Sequence, residues 1–182
     1  IANSTTYQLS CRANRTNAQD RTHFSRRIAR RLTAEQLVDA ISHATGVPET
    51  FPQMPAGTRA IQLPDRVASF VLDLFGRPPR QIVCACERAE EITLSQVLHF
   101  LNGNTVNNKI ADARGRAAQL AASQKATAEI VAELYLWTLG REPTPAELRA
   151  AVAAIDAAPN RRQAIEDRLW VLINMEEFWF NH

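Results

Sequence analysis

The last third of the chain carries apolar residues at helical spacing in three consecutive segments. The first segment predicts a helix over 127–139, with Thr127 as its cap. The second predicts a helix over 144–158, whose start combines a threonine cap, a proline in the first turn and a glutamate that reaches back. Asn160 begins the third segment, and the aromatic residues near the C-terminus predict that the tail docks on the core.

Short helical segments and proline-rich connections alternate in the first two thirds of the chain. Thr33 and Gln36 have capping-box spacing, and the apolar stripe after them predicts a helix that ends at Gly46. Residues 47–64 contain four prolines and predict a long ordered loop or an excursion over the surface. The remaining segments predict a helix over 65–75, extended chain over 77–80, at most one short strand over 81–86, and helices over 93–101, 105–111 and 116–123.

These elements predict a mainly α protein, an irregular multi-helix bundle with a basic N-terminal extension, a proline-rich loop and at most one short strand. Residues 1–31 hold seven arginines against a single acid, and no helical or alternating period stands out, so we expect an extended basic lead-in. We expect a helical domain over 32–182, with an N-terminal helical part over 33–103 and a C-terminal bundle over 104–182.

Composition and charge narrow the classes of partner. The 182 residues are 46% apolar and 22% charged, which is typical of a globular chain with one core or two small ones. No apolar run approaches the roughly 18 residues of a membrane span. The net charge is +2, and only Tyr7 and Phe24 accompany the arginines of the lead-in, so we expect no nucleic-acid partner and no membrane span.

Six segments of the sequence, in order, match the pattern of a known family. They are NSTTYQLSCRANRTN, RRLTAEQLVDAISHATGVPE, FGRPPR, CACERAEEITLSQVLHFLNG, ELYLWTLGREPTPAEL and INMEEFWFNH. The chain resembles the C-terminal domain of unknown function of large secreted planctomycete proteins, a domain often fused to c-type cytochrome modules. The resemblance implies an exported protein, periplasmic or at the cell surface, of which this chain is the C-terminal fragment. It implies no established activity, and the family pattern has serine where Cys11 stands.

The three cysteines allow several interpretations. Cys84 and Cys86 are too close for an unstrained bridge, so a disulfide would join one of them to Cys11, while packed or free thiols are also possible. A metal or redox site at Cys84 and Cys86 has weak support, because zinc sites usually space their cysteines more widely. Covalent haem needs C-x-x-C-H, which the sequence lacks. We therefore expect no cofactor within this chain, with haem c on another segment or partner, and His99 as the weak candidate for ligation.

Four arginines are candidates for an interface or an anion contact, because a guanidinium binds planar anions through two hydrogen bonds. The alternative is a salt-bridged junction between helices, in which Asp73 is one candidate partner. The four are Arg77, Arg80, Arg88 and Arg141.

No hydrolase elbow, H-E-x-x-H helix, P-loop or dinucleotide-binding turn occurs in the sequence, and we assign no catalytic residue. We expect a non-catalytic interaction or scaffold domain that packs against other domains of an exported multidomain bacterial protein, with 47–64 and 77–88 as its contact surface. One alternative is an accessory domain of a cytochrome-containing electron-transfer assembly. Another is cell-surface carbohydrate binding or processing, with a tryptophan platform formed by Trp137, Trp170 or Trp179.

Overall fold

The computed structural model describes residues 3–20, 22–64, 67–77 and 104–181. Several sequence predictions lie outside these ranges and remain predictions. They are the strand over 81–86, the helix over 93–101, most of the extended segment over 77–80, and the candidate site residues Arg80, Cys84, Cys86, Arg88 and His99.

Most of the ordered secondary structure in the described ranges is helical, which confirms the mainly α class. The helices are α1 (Ala34–Thr45), α2 (Phe70–Leu74), α3 (Asn104–Ala111), α4 (Arg116–Ala122), α5 (Thr127–Leu139), α6 (Pro145–Asp156), α7 (Arg161–Ile173) and α8 (Glu176–Trp179), with a 3₁₀ turn over Ala60–Gln62. Two short strands, β1 (Arg30–Arg31) and β2 (Phe180–Asn181), form an antiparallel pair.

The start of α1 follows from a local exchange of hydrogen bonds. The Gln36 amide donates to the Thr33 hydroxyl at 3.3 Å, and the Thr33 amide donates to the Gln36 side-chain oxygen at 3.0 Å. Both bonds satisfy amides that have no partner inside the helix. Gly46 ends the helix in the left-handed conformation, with φ of 71°. The predicted capping box and C-cap are confirmed.

Two predicted helix starts are wrong. The helix expected over 65–75 is only α2, because the Ser69 hydroxyl accepts the Leu72 amide at 3.4 Å and 67–69 are not helical. Thr127 does not cap α5. Ala126 holds the N-cap position, its amide donates to Glu129 at 3.1 Å, and the Thr127 hydroxyl donates to Asp156 instead.

The core lies where α1, α5 and α7 meet. Fully buried side chains from these three helices pack together, and smaller contributions come from α2, α3 and the proline-rich loop. The largest of the buried side chains are Leu37, Leu72, Ile130, Leu134, Ile165, Leu169, Leu172 and Ile173. None of the helices within the described ranges combines the length and apolar character that crossing a bilayer requires.

The basic lead-in is joined to the C-terminal tail, a connection that the sequence did not predict. Arg30 pairs with Asn181 and Arg31 with Phe180, and the Leu32 amide donates to the Trp179 carbonyl at 2.9 Å. Trp179 is buried and packs edge-on against Phe75, with their ring centroids 6.0 Å apart. The predicted docking of the tail is confirmed.

Candidate functional site

The C-terminal end of α1, the proline-rich loop and one side of α5 border an open groove with a cavity volume of about 400 Å³. We call it the loop groove. Its polar and aromatic lining residues include Asp39, His43, Glu49, Arg59, Arg116 and Trp137. It is built on the loop over 47–64, one of the two segments expected to form a contact surface.

Asp39 anchors the loop to α1. Its carboxylate accepts the Ala60 amide at 2.7 Å and the Ile61 amide at 3.2 Å, and the Arg59 Nε lies 3.5 Å away. A carboxylate at the start of the 3₁₀ turn satisfies amides that the turn itself leaves unpaired. Asp39 therefore fixes the backbone of the loop.

Lys109 fixes the other end of the loop from α3. Its ammonium donates to the Val47 carbonyl at 2.8 Å and lies 3.4 Å from a carboxylate oxygen of Glu49. Burial lowers the pKa of Lys109 below its ordinary value, and the charge of Glu49 opposes that shift. The loop is thus held by charged side chains from two different helices.

The Trp137 ring is in contact with both Arg116 and His43 at the edge of the loop groove. The Arg116 guanidinium carbon lies 3.6 Å from the centroid of the Trp137 ring, and the His43 ring centroid lies 4.7 Å from the same ring at a tilt of 56°. Arg116 also donates to the carbonyls of Ala44 at 2.9 Å and His43 at 3.0 Å. These carbonyls belong to the last turn of α1, where a cation is favoured by the helix dipole.

The charged side chains at the loop groove are engaged with the backbone. Asp39, Lys109 and Arg116 each spend hydrogen bonds on backbone groups of the loop or of α1. Trp137 keeps 38% of its surface exposed although Arg116 and His43 both contact its ring.

Arg77 lies at the end of α2 and is buried, with only 3% of its side chain exposed. Its guanidinium donates to the Asp73 carboxylate at 2.8 Å, the partner expected for a salt-bridged junction. Its Nε and Nη1 atoms are buried without a hydrogen-bond partner in the described part of the chain.

Arg141 lies in the turn between α5 and α6 and binds two carboxylates. It reaches Glu177 through Nε at 2.6 Å and Nη2 at 2.8 Å, and Glu147 through Nη1 and Nη2 at 3.0 Å each. These bonds raise the pKa of Arg141, and they lower the pKa of Glu147 to about 2, with help from the Thr144 amide. The guanidinium thus joins the α5–α6 turn to α8.

The structure describes only one of the three cysteines, Cys11. Cys11 is half-buried and forms no disulfide with another described residue. Its two expected partners lie outside the described residues, so the disulfide remains a prediction. In the described ranges, no three histidine, cysteine, aspartate or glutamate side chains form a group that could hold a metal ion.

Comparison with protein families identifies the chain by its sequence pattern. The model of the family described as PSD1, protein of unknown function (DUF1553), matches residues 1–155. The chain belongs to this family. Searches of curated proteins and of solved structures found no significant match.

The DUF1553 match includes every residue that lines the loop groove, together with the lead-in and Arg77. It ends within α6, so α7, α8 and β2 follow the matched range. The Arg141 junction accordingly joins a residue inside the matched range to Glu177 beyond it.

Sequence reasoning missed Asp39, Lys109 and Arg116, which build the loop groove. Each of them forms a hydrogen bond with a backbone group that is distant in sequence, and no motif or spacing predicts such a bond. The four prolines of the loop were the one indication in the sequence. They predicted a long ordered loop, and such a loop needs contacts with other elements to hold it in place.

Proposed function

We propose that this DUF1553 domain is a non-catalytic helical interaction domain and that the loop groove is its contact surface. The observation that carries the proposal is the contrast within the groove between fixed charges and open apolar surface. Asp39 and Arg116 are tied to backbone groups, whereas Trp137 is 38% exposed. Leu136 precedes it on α5 and is 49% exposed, although it does not line the groove itself.

Preorganisation is the physical advantage of this arrangement for binding. A loop that is already held by Asp39 and Lys109 loses little further conformational entropy when a partner docks. Half-exposed tryptophans are enriched among the residues that dominate binding energy at protein interfaces. A cavity of about 400 Å³ beside such a residue suits one or two protruding side chains of a partner.

The proposed partners are other domains of the same polypeptide, exported to the periplasm or the cell surface. The resemblance to the C-terminal domain of large secreted proteins supports this location and this kind of partner. The same resemblance supports a c-type cytochrome module as an alternative partner. A visible absorption spectrum of native material, oxidised and reduced, with a denaturing haem assay, distinguishes the alternatives, because only a cytochrome partner would contribute a haem signal.

Binding between this chain and the separately produced neighbouring domains of its natural polypeptide tests the proposal. We expect measurable binding by titration calorimetry, weakened about tenfold or more by Trp137→Ala. Val171→Ala is the matched control, because Val171 is 41% exposed on α7 and does not line the loop groove. The proposal is wrong if no neighbouring domain binds, or if the two variants reduce affinity equally while both remain folded.

Carbohydrate binding is a second candidate, and the observation that favours it is the exposure of the Trp137 ring beside a cavity that also has charged lining residues. Sugars stack on exposed aromatic faces, but the Arg116 guanidinium lies 3.6 Å over this ring and covers part of it. Oligosaccharide binding that Trp137→Ala abolishes would favour this candidate over a protein partner.

A further inference from the structure

A second cavity, of about 380 Å³, lies between the basic lead-in and β2. We call it the arginine pocket. It is lined mainly by Tyr7, Phe24, Arg26, Arg27, Arg30 and Asn181. It is separate from the loop groove, with which it shares no lining residue.

A tight turn presents Phe24 to solvent at this pocket. The Asp20 carboxylate accepts the amides of His23 at 2.9 Å and Ser25 at 3.1 Å, and it also accepts the Ser25 hydroxyl. These bonds hold the turn in which Phe24 has a φ of 53°, a left-handed conformation that is costly for a residue with a side chain. Phe24 is nevertheless 59% exposed.

Two of the three guanidinium groups are held in place by neutral partners. Arg27 donates to the Asn181 side-chain oxygen and lies 4.9 Å from the centroid of the Tyr7 ring. Arg26 donates through Nε to the Asn17 carbonyl at 3.3 Å. These contacts fix the position of the charges without neutralising them.

The charge of the arginine pocket is uncompensated. None of its lining residues is acidic, and none of its three arginines forms an ion pair with another described residue. The whole chain carries a net charge of only +2, so this concentration of positive charge is local. Guanidinium groups prefer planar carboxylates, and the rings of Tyr7 and Phe24 add an apolar surface beside them.

We propose that the arginine pocket binds an acidic segment of a partner polypeptide, with an aspartate or glutamate carboxylate on the arginines and a neighbouring apolar side chain against Phe24. A polypeptide fits better than a nucleic acid, because a phosphodiester backbone calls for an extended basic track, whereas three arginines share this one cavity of about 380 Å³ with the rings of Tyr7 and Phe24. The inference concerns a second surface and does not depend on the role of the loop groove.

Fluorescence anisotropy with a short labelled peptide of alternating glutamate and phenylalanine tests this inference on the full chain. We expect saturable binding that weakens with added salt and disappears when glutamine replaces glutamate in the peptide. Arg30→Gln should weaken binding by about fivefold, since the side chain is exposed and screened. Phe24→Asn should weaken it as well, and asparagine tolerates the left-handed turn.

Arg15→Gln is the matched control, because it removes the same charge from an exposed position of the lead-in outside the pocket. We expect it to bind the peptide as the unaltered chain does. Equal losses for Arg15→Gln and Arg30→Gln would overturn the inference, since they would show general attraction to a basic segment. Failure of the peptide to bind, or tighter binding of an oligothymidylate of equal charge, would also overturn it.

Discussion

At the scale of single residues, Arg141 shows how one side chain connects elements that are far apart in sequence. Its guanidinium binds Glu147 in the first turn of α6 and Glu177 in α8. Glu147 also accepts the Thr144 amide at 2.7 Å, so the capping box of α6 and the Arg141 junction share one carboxylate. The sequence predicted the capping box from its spacing, but Glu177 could not be identified as a partner because only the docking of α8 brings it near.

We expect Arg141→Gln to lower the free energy of unfolding at neutral pH by about 1–2 kcal/mol, a value reduced by partial exposure of the ion pairs. The folded-state pKa of Glu147, about 2, lies below its ordinary value of 4.5. Its contribution to stability is therefore complete above about pH 4.5 and is lost as the pH falls towards 2. This loss of stability between pH 4.5 and 2 is the acid limb of the stability profile. It should be smaller in Arg141→Gln, as measured by chemical denaturation between pH 2 and 7.

Arg114→Gln is the control for that series, because within the described ranges Arg114 forms an ion pair only with Asp112, and 88% of its side chain is exposed. It should leave the stability at neutral pH within error. An acid limb of the same size in Arg141→Gln as in the unaltered chain would contradict the assignment to this junction.

At the scale of secondary-structure elements, a helix start is predicted correctly when its capping residues are close together in sequence. The helices α1 and α6 begin at reciprocal caps between residues three positions apart, and the sequence alone identified both. Thr127 looked like such a cap, but its hydroxyl is used by Asp156 on another helix. Strands β1 and β2 have two residues each, too few for an alternating pattern to be detected.

Two glycines at helix ends resist substitution for different reasons, steric crowding at Gly115 and backbone conformation at Gly140. At Gly115, a Cβ atom would lie only 3.1–3.3 Å from the carbonyl oxygens of Asp112, Lys109 and Thr45. At Gly140, φ is 68° and a Cβ atom would meet nothing within 4 Å. We expect Gly115→Ala to cost about 1–3 kcal/mol through crowding. Gly140→Ala should cost about 1 kcal/mol through the left-handed backbone. Thermal and denaturant unfolding measure both.

An asparagine variant tests the backbone strain at Gly140. Asparagine adopts the left-handed conformation more readily than alanine, so Gly140→Asn should recover part of the stability that Gly140→Ala loses. Gly115 does not allow the same comparison, because it holds the N-cap of α4, where an asparagine side chain would itself accept a helix amide. A Gly140→Asn variant no more stable than Gly140→Ala would contradict this account.

At the scale of the whole molecule, tertiary packing creates both proposed surfaces. The sequence predicted that the loop over 47–64 forms a contact surface, but it could not show that Arg116 and Trp137 lie beside the end of α1. It also treated the lead-in as a separate extension, whereas pairing of β1 with β2 places the arginine pocket against the C-terminal tail. Both surfaces depend on contacts between distant parts of the chain, which local patterns do not encode.

Hydrogen exchange at the loop groove tests the central proposal, that this domain docks on other parts of its own polypeptide, most directly. Exchange is measured by mass spectrometry on the chain alone and within the longer natural polypeptide. We expect peptides covering residues 58–61 and 136–139 to exchange markedly more slowly in the longer protein, while the helix α7, which contributes no lining residue to the loop groove, exchanges equally in both. Identical exchange at the loop groove in the two forms would contradict the proposal.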